Sequence, residues 1–184
     1  MPAPKAVEII EFWQQAGPQR WFAKDHAFDT EIRSRFESHH HAAARGELAD
    51  WSAEWTGSLA LLLLLDQFPR NIYRGSGHAF ATDGLALSIA RSAIGQGHDM
   101  AAPAQLRGFY YLPFEHSEQI EDQDLCLAYC AALDAVTGGD LSNWAQIHRN
   151  IIVRFGRFPH RNAALGRKTT PEEQGFLDGG GFSG

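Results

Sequence analysis

The stretch RFGRFPHRNAALGRKTT, from Arg154 to Thr170, carries four arginines, a lysine and a histidine and no acid. The chain as a whole is acidic, with a net charge of −6. From Leu141 to Pro171 there are five Arg and one Lys without an Asp or Glu, while Glu115 to Asp124 holds five acids and neither Arg nor Lys. Like charges in close contact repel by roughly 1 kcal/mol per pair even in water. Each block therefore requires opposite charge nearby. Either the two blocks neutralise each other, or some arginines await an anionic ligand, for which the planar guanidinium fork suits carboxylate and phosphate. Arg157, Arg161 and Arg167 are the candidates here. Pro159 interrupts the helix, so Arg154, Arg157 and Arg161 need not share a face.

Two further polar groups fall on apolar faces. At about 100° per residue, Asp66 lies between Trp55, Leu59 and Leu62, and His148 lies inside a stripe of Trp144, Ile151 and Phe155, edged by Ile147 and Ile152. A buried Asp or His needs partners. Both either tie the fold together or line a cleft with Arg70, Arg74, Arg157 and Arg161. EHSE at 115–118 places His116 and Glu118 at a helix start, and His160 stands in the basic stretch. These three are the candidate acid/base groups. Glu115, His116 and Glu118 match no zinc spacing, and no metal or cofactor is expected. His39–His41 fan around a helix and are expected at the surface. GRKTT at 166–170 lacks the Gly-Lys adjacency and preceding strand of a nucleotide loop. No nucleophile elbow or Cys–His pair is present.

The elements that must position these groups read as helices. Apolar spacing predicts helices over 4–15, 26–45, 53–68, 83–95, 118–137 and 141–156, with a short one from Pro103. Pro69 is expected to end the third, Thr82 to cap the fourth and Ser117 to cap the long acidic one. Thr170-Pro171-Glu172-Glu173 is a start signal for a last short helix. No alternating run predicts a strand. The expectation is all-α: one antiparallel helical array over 1–178, then a disordered Gly-rich tail over 179–184. A weak repeat links LLDQFPRNIYRG near 64–75 with RFGRFPHRNAALGR at 154–167, both leaving a helix through Phe-Pro.

The totals limit the function classes. The acidic balance argues against general nucleic-acid binding. The longest apolar run, Leu59 to Leu65, is seven residues, far short of a membrane span. Cys126 and Cys130, the only cysteines, read as small buried groups without a disulfide. With no signal-peptide core at the start, a cytoplasmic location is expected.

LLLLLDQFPRNIYRG, YLPFEHSE and RFGRFPHRNAALGRKTTPEE, with Trp21-Phe22 and Phe28-Asp29, resemble the signatures of the bacterial family called domain of unknown function 924, in order, over about residues 7–177. The resemblance implies a tetratricopeptide-like α-α superhelix and leaves the activity open. It also implies that the motif positions are Asp66, Gln67, Pro69, Arg70, Asn71, Arg74, His116, Glu118, Arg157, Pro159, His160, Arg161, Asn162, Gly166 and Arg167. Glu115 stands where an apolar or small residue is expected. Three functions stay open. One is binding of an anionic small molecule or acidic peptide end through Asp66, Arg70, Arg74, His148, Arg157, Arg161 and Arg167. Another is a hydrolase or transferase on an anionic substrate, with His116, Glu118 or His160 as acid/base. The third is a scaffold whose ion pairs are purely structural. The sequence sets no oligomeric state.

Overall fold

The computed structural model describes residues 3–182, and these are helical throughout, joined by turns, with no strand among them. The chain is all-α. It groups into two compact units, residues 3–74 with 78–113, and residues 75–77 with 114–182.

In the first unit, α1 (Pro4–Ala16) ends at Gly17, whose φ of 73° suits glycine. A single turn, α2 (Pro18–Trp21), follows. Asp25 caps α3 (His26–Ala44) by accepting from the N–H groups of Ala27 and Phe28. That helix buries Phe28, Ile32, Phe36, His40 and Ala43, three or four residues apart. Phe12, Trp13, Phe28, Phe36 and Phe68 meet ring to ring at 5.0–6.4 Å. Each such side chain stabilises the core by about 1.5–3 kcal/mol. The leucine-rich stretch forms α4 (Trp55–Leu62). Beyond the second segment, α5 (Phe68–Ile72), come α6 (Asp83–Gly95), α7 (His98–Ala101) and α8 (Ala104–Arg107).

Pro69 does not end the leucine-rich helix. Between α4 and α5 the chain takes a π turn over Leu63–Gln67, in which Phe68 N–H reaches Leu63 O, five residues back. Proline has no N–H and its ring crowds the carbonyl four residues earlier. Widening the turn relieves that conflict and frees carbonyls, which side chains then satisfy. Leu64 O pairs with His40 Nδ1 at 2.8 Å, Leu65 O accepts from the Thr82 hydroxyl, and Asp66 O accepts from Arg70 Nη1 at 2.5 Å. Two other expectations are corrected by the same bonds. Thr82 precedes α6 without capping it, because its hydroxyl is used on Leu65. His40 is buried rather than on the surface, and burial pushes its pKa below the ordinary histidine range, against the opposing pull of the Leu64 carbonyl.

A turn, α9 (Leu112–Glu115), leads into the second unit. There α10 (Ile120–Thr137) and α11 (Leu141–Phe155) pack as a hairpin, each ended by a left-handed glycine, Gly138 and Gly156. Ser117 does not cap α10, which starts at Ile120; its hydroxyl donates to Asp122 at 2.7 Å. Asp134 accepts from the N–H groups of Leu141 and Ser142, so a carboxylate from α10 caps α11. The buried stripe of α11 is Ala145, His148, Ile151 and Ile152. Trp144, expected within it, and Ile147, expected at its edge, are 49% and 41% exposed. The last helix, α12 (Pro171–Asp178), opens with the full capping box of Thr170 and Glu173. The tail is described as far as Phe182, which packs on the cluster of Ile151, Ile152 and Phe158; residues 183 and 184 lie outside the described residues.

Candidate functional site

In the first unit, Asp66 sits in the π turn, 1% exposed. Gln67 Nε2 donates to it at 2.5 Å, and Arg70 Nη1 lies 3.3 Å from Oδ1. Arg70 also forks onto Asp83, at 2.9 and 3.0 Å, joining α5 to α6. Arg74 forks onto Asp29 at 2.6 and 3.0 Å and donates to Ala23 O; Asn71 donates to the same carboxylate at 2.8 Å. These candidates thus face carboxylates of their own chain.

The second unit resolves the charge blocks in the same way. Arg167 forks onto Glu118 at 2.7 and 3.0 Å, and Arg149 reaches Asp124 at 2.5 Å. Arg154 bonds Glu172 at 3.0 Å, and Arg157 forks onto Glu173 at 2.6 and 2.8 Å. Glu118 also accepts from the Phe158 N–H at 2.8 Å. Burial pushes the Glu118 pKa up, but Arg167 and that N–H outweigh it, so the carboxyl lies below its usual range. For Glu173, the Arg157 hydrogen bonds lead, opposed by burial and aided by the Thr170 N–H, and hold the carboxyl at about 2. The Glu173 anchor also accepts from Asn162 at 3.2 Å. Its role as a cap is legible in the sequence; its role as the partner of Arg157 is not.

The structure brings a different subset together. His148, His160 and Arg161 converge on the fully buried Phe158 ring. The two imidazole centroids lie 5.6 Å from it and the Arg161 guanidinium carbon 4.5 Å from it. Arg161 also donates to His116 O at 3.1 Å, so His116 is tied in through its backbone. His148 is positioned by α11, where its Nδ1 lies 2.9 Å from Trp144 O, and the same atom is 3.5 Å from Glu115 Oε1. His160 and Arg161 are positioned by a 3₁₀ turn, Pro159–Arg161, that follows the glycine stop of α11. Phe182 closes the other side, 4.5 Å from His148 and 5.3 Å from His160. Glu115, Phe158 and Phe182 were not among the candidates. The departure of Glu115 from an apolar expectation was the only signal for any of them.

Cys126 and Cys130 lie on one buried face of α10 with Sγ atoms 3.8 Å apart, too far for a bond and unbridged. The contact with Cys130 and burial push the Cys126 thiol well up. Among the described residues, no group of three or more His, Cys, Asp or Glu could hold a metal ion, and no helix is long and apolar enough to cross a membrane.

The model of a family described as bacterial protein of unknown function (DUF924) matches residues 9–181. The structure is similar to the solved structure of a protein of unknown function from Agrobacterium tumefaciens, at 50% sequence identity and a TM-score of 0.89, covering 95% of this chain and 97% of that one. No curated protein matches.

Proposed function

The chain belongs to the DUF924 family of bacterial proteins, and on that footing we propose that it is a binding protein whose second unit holds an anionic small molecule, or the acidic end of a peptide, among His148, His160 and Arg161. The observation that carries this reading is the convergence of those three basic groups on one ring, Phe158. Glu115 Oε1 lies 3.5 Å from His148 Nδ1, and an anion that reached this cluster would meet imidazole and guanidinium N–H groups, the donors it prefers. Arg70, Arg74, Arg157 and Arg167 are struts in this reading, because each is forked onto or bonded to a carboxylate. The enzyme reading gains less. Glu118, one of its three candidate groups, is forked by Arg167, which lowers its pKa against the upward push of burial and fits a strut. The unbridged Cys126 and Cys130 fit a reducing, cytoplasmic compartment.

The test is thermal stabilisation of the full chain by inorganic phosphate and by succinate. A ligand that binds the native state raises stability by RT ln(1 + [L]/Kd). The shift should shrink about tenfold in apparent affinity for His160→Ala and for Arg161→Lys, a loss of about 1.4 kcal/mol. No shift with either anion at millimolar concentration, or an equal shift in both variants, sinks the reading.

A further inference from the structure

Where the chain widens at Leu63–Gln67, three side chains hold the freed carbonyls: His40 on Leu64 O, Thr82 on Leu65 O and Arg70 on Asp66 O. Of these donors only the imidazole changes charge near neutrality. The hydroxyl does not titrate there, and the guanidinium stays charged. A carbonyl oxygen only accepts, so the 2.8 Å contact places a hydrogen on His40 Nδ1 and leaves Nε2 to take a second proton. That proton arrives in a confined place. His40 is 5% exposed on the inner face of α3, with the rings of His41 and Tyr73 at 5.2 and 5.7 Å. The charged groups around it are engaged elsewhere. On α3, Glu37 accepts from the Tyr73 hydroxyl at 3.1 Å, and Arg33 lies over the Tyr73 ring and donates to Ile72 O. From the π turn and α5, Asp66 and Arg70 pair with each other, and Arg70 forks onto Asp83. From α1, Lys5 and Glu8 pair with each other and act on His39.

We infer that His40 is a proton-operated latch on the π turn: neutral, it holds Leu64 O, and on taking a second proton it swings out to water and the turn loosens. Burial leads in keeping the folded His40 below the ordinary histidine value of 6.5; the Leu64 carbonyl opposes it, His41 adds to it and Glu37 opposes it. A ring that has swung out regains the ordinary value, so protons bind the open form better than the closed one and shift the population toward it. The latch is therefore complete above pH 6.5 and weakens as the pH falls below it. With His40 gone, Leu64 O loses its partner, while the crowding by Pro69 that widened the turn remains. The turn also carries Asp66, so its loosening slackens the link through Arg70 to Asp83 that joins α5 to α6. Thr82 and Arg70 keep their charge state through this range, so the opening is local and the rest of the first unit stays folded.

The experiment is amide exchange of the full chain at about pH 7.5 and about pH 5.5, with rates corrected for the intrinsic effect of pH. It is read at the Phe68 N–H, which closes the turn on Leu63 O. Protection there should fall by up to about tenfold between the two conditions, the limit for one proton taken up by an opened imidazole of ordinary affinity. Amides in the middle of α1 should change less than about twofold. His40→Asn keeps a donor near the position of Nδ1 without a titrating ring, so its Phe68 protection should not depend on pH. His40→Leu removes the donor, and its Phe68 protection at the higher pH should already match that of the unsubstituted protein at the lower one. Circular dichroism checks that both variants keep their helices. Equal protection of Phe68 at the two pH values in the unsubstituted protein, the same loss in His40→Asn, or a loss shared by α1 overturns the latch.

Discussion

Glu173 offers the sharpest quantitative test of the ion-pair framework. Its side chain is 3% exposed and accepts two bonds from Arg157, one from the Thr170 N–H and one from Asn162. Its pKa falls from 4.5 to about 2 on folding. At about 1.36 kcal/mol per unit, that depression is worth roughly 3 kcal/mol as an upper bound. The Arg157 side chain is 29% exposed, and its contact with water screens the pair, so a loss of about 2 kcal/mol is the working figure for Glu173→Gln. The sign follows from the depressed value. The contribution is complete above the unfolded carboxyl value and disappears as the pH falls from about 4.5 through about 2. Amide exchange at Glu173 and Gln174 reads it locally, since their N–H groups bond to Thr170 at 3.2 and 2.9 Å. In Glu173→Gln those amides should lose ~30-fold protection at pH 7, and the difference from the unsubstituted protein should nearly close by pH 2. Unchanged protection at pH 7, or a difference that does not depend on pH, would refute the argument.

Three other outcomes follow from the same structure. Asp66→Ala should cost about 3 kcal/mol in urea denaturation, because it removes a buried carboxylate beside Arg70 and Gln67; an unchanged midpoint would take Asp66 out of the framework. Thr82→Val keeps the side-chain shape and deletes the hydroxyl on Leu65 O, so a loss of about 1–2 kcal/mol is expected, and a neutral result would mean that this carbonyl needs no partner. Iodoacetamide at pH 7.5 should label Cys126 only after unfolding, as mass spectrometry will show, since both burial and Cys130 disfavour its thiolate; rapid native labelling contradicts this.

What the sequence made legible was chiefly local. The Thr170–Glu173 cap lies within four residues and reads directly. The burial of Asp66 and His148 follows from helical spacing alone. The π turn does not, because Pro69 read locally is a stop, and the groups that let the helix pass it, His40 and Thr82, arrive from other elements. His40 was read with its two neighbours as surface for the same reason. On α11 the stripe was drawn through the largest apolar residue, Trp144, whereas the buried face centres on Ala145 and His148, where a small side chain permits close packing. Mutual neutralisation of the charge blocks was one of two open options, yet its pairs span long separations, such as Glu118 with Arg167 and Asp124 with Arg149, and only the fold selects them. Phe182 carried no signal, since a phenylalanine after three glycines reads as tail.

The widened turn at Leu63–Gln67 makes chain length, not only composition, a constraint on the leucine run. Such a turn accommodates one residue beyond what the same rise of α-helix would hold. Deleting a single leucine between Leu59 and Leu65 would remove that extra residue and preserve every side-chain type there, and the segment after it would keep its facing. The turn would close to ordinary α-helix, and the Pro69 ring would press on the carbonyl four residues earlier. A shortened run is therefore a heavier lesion than any apolar replacement within it.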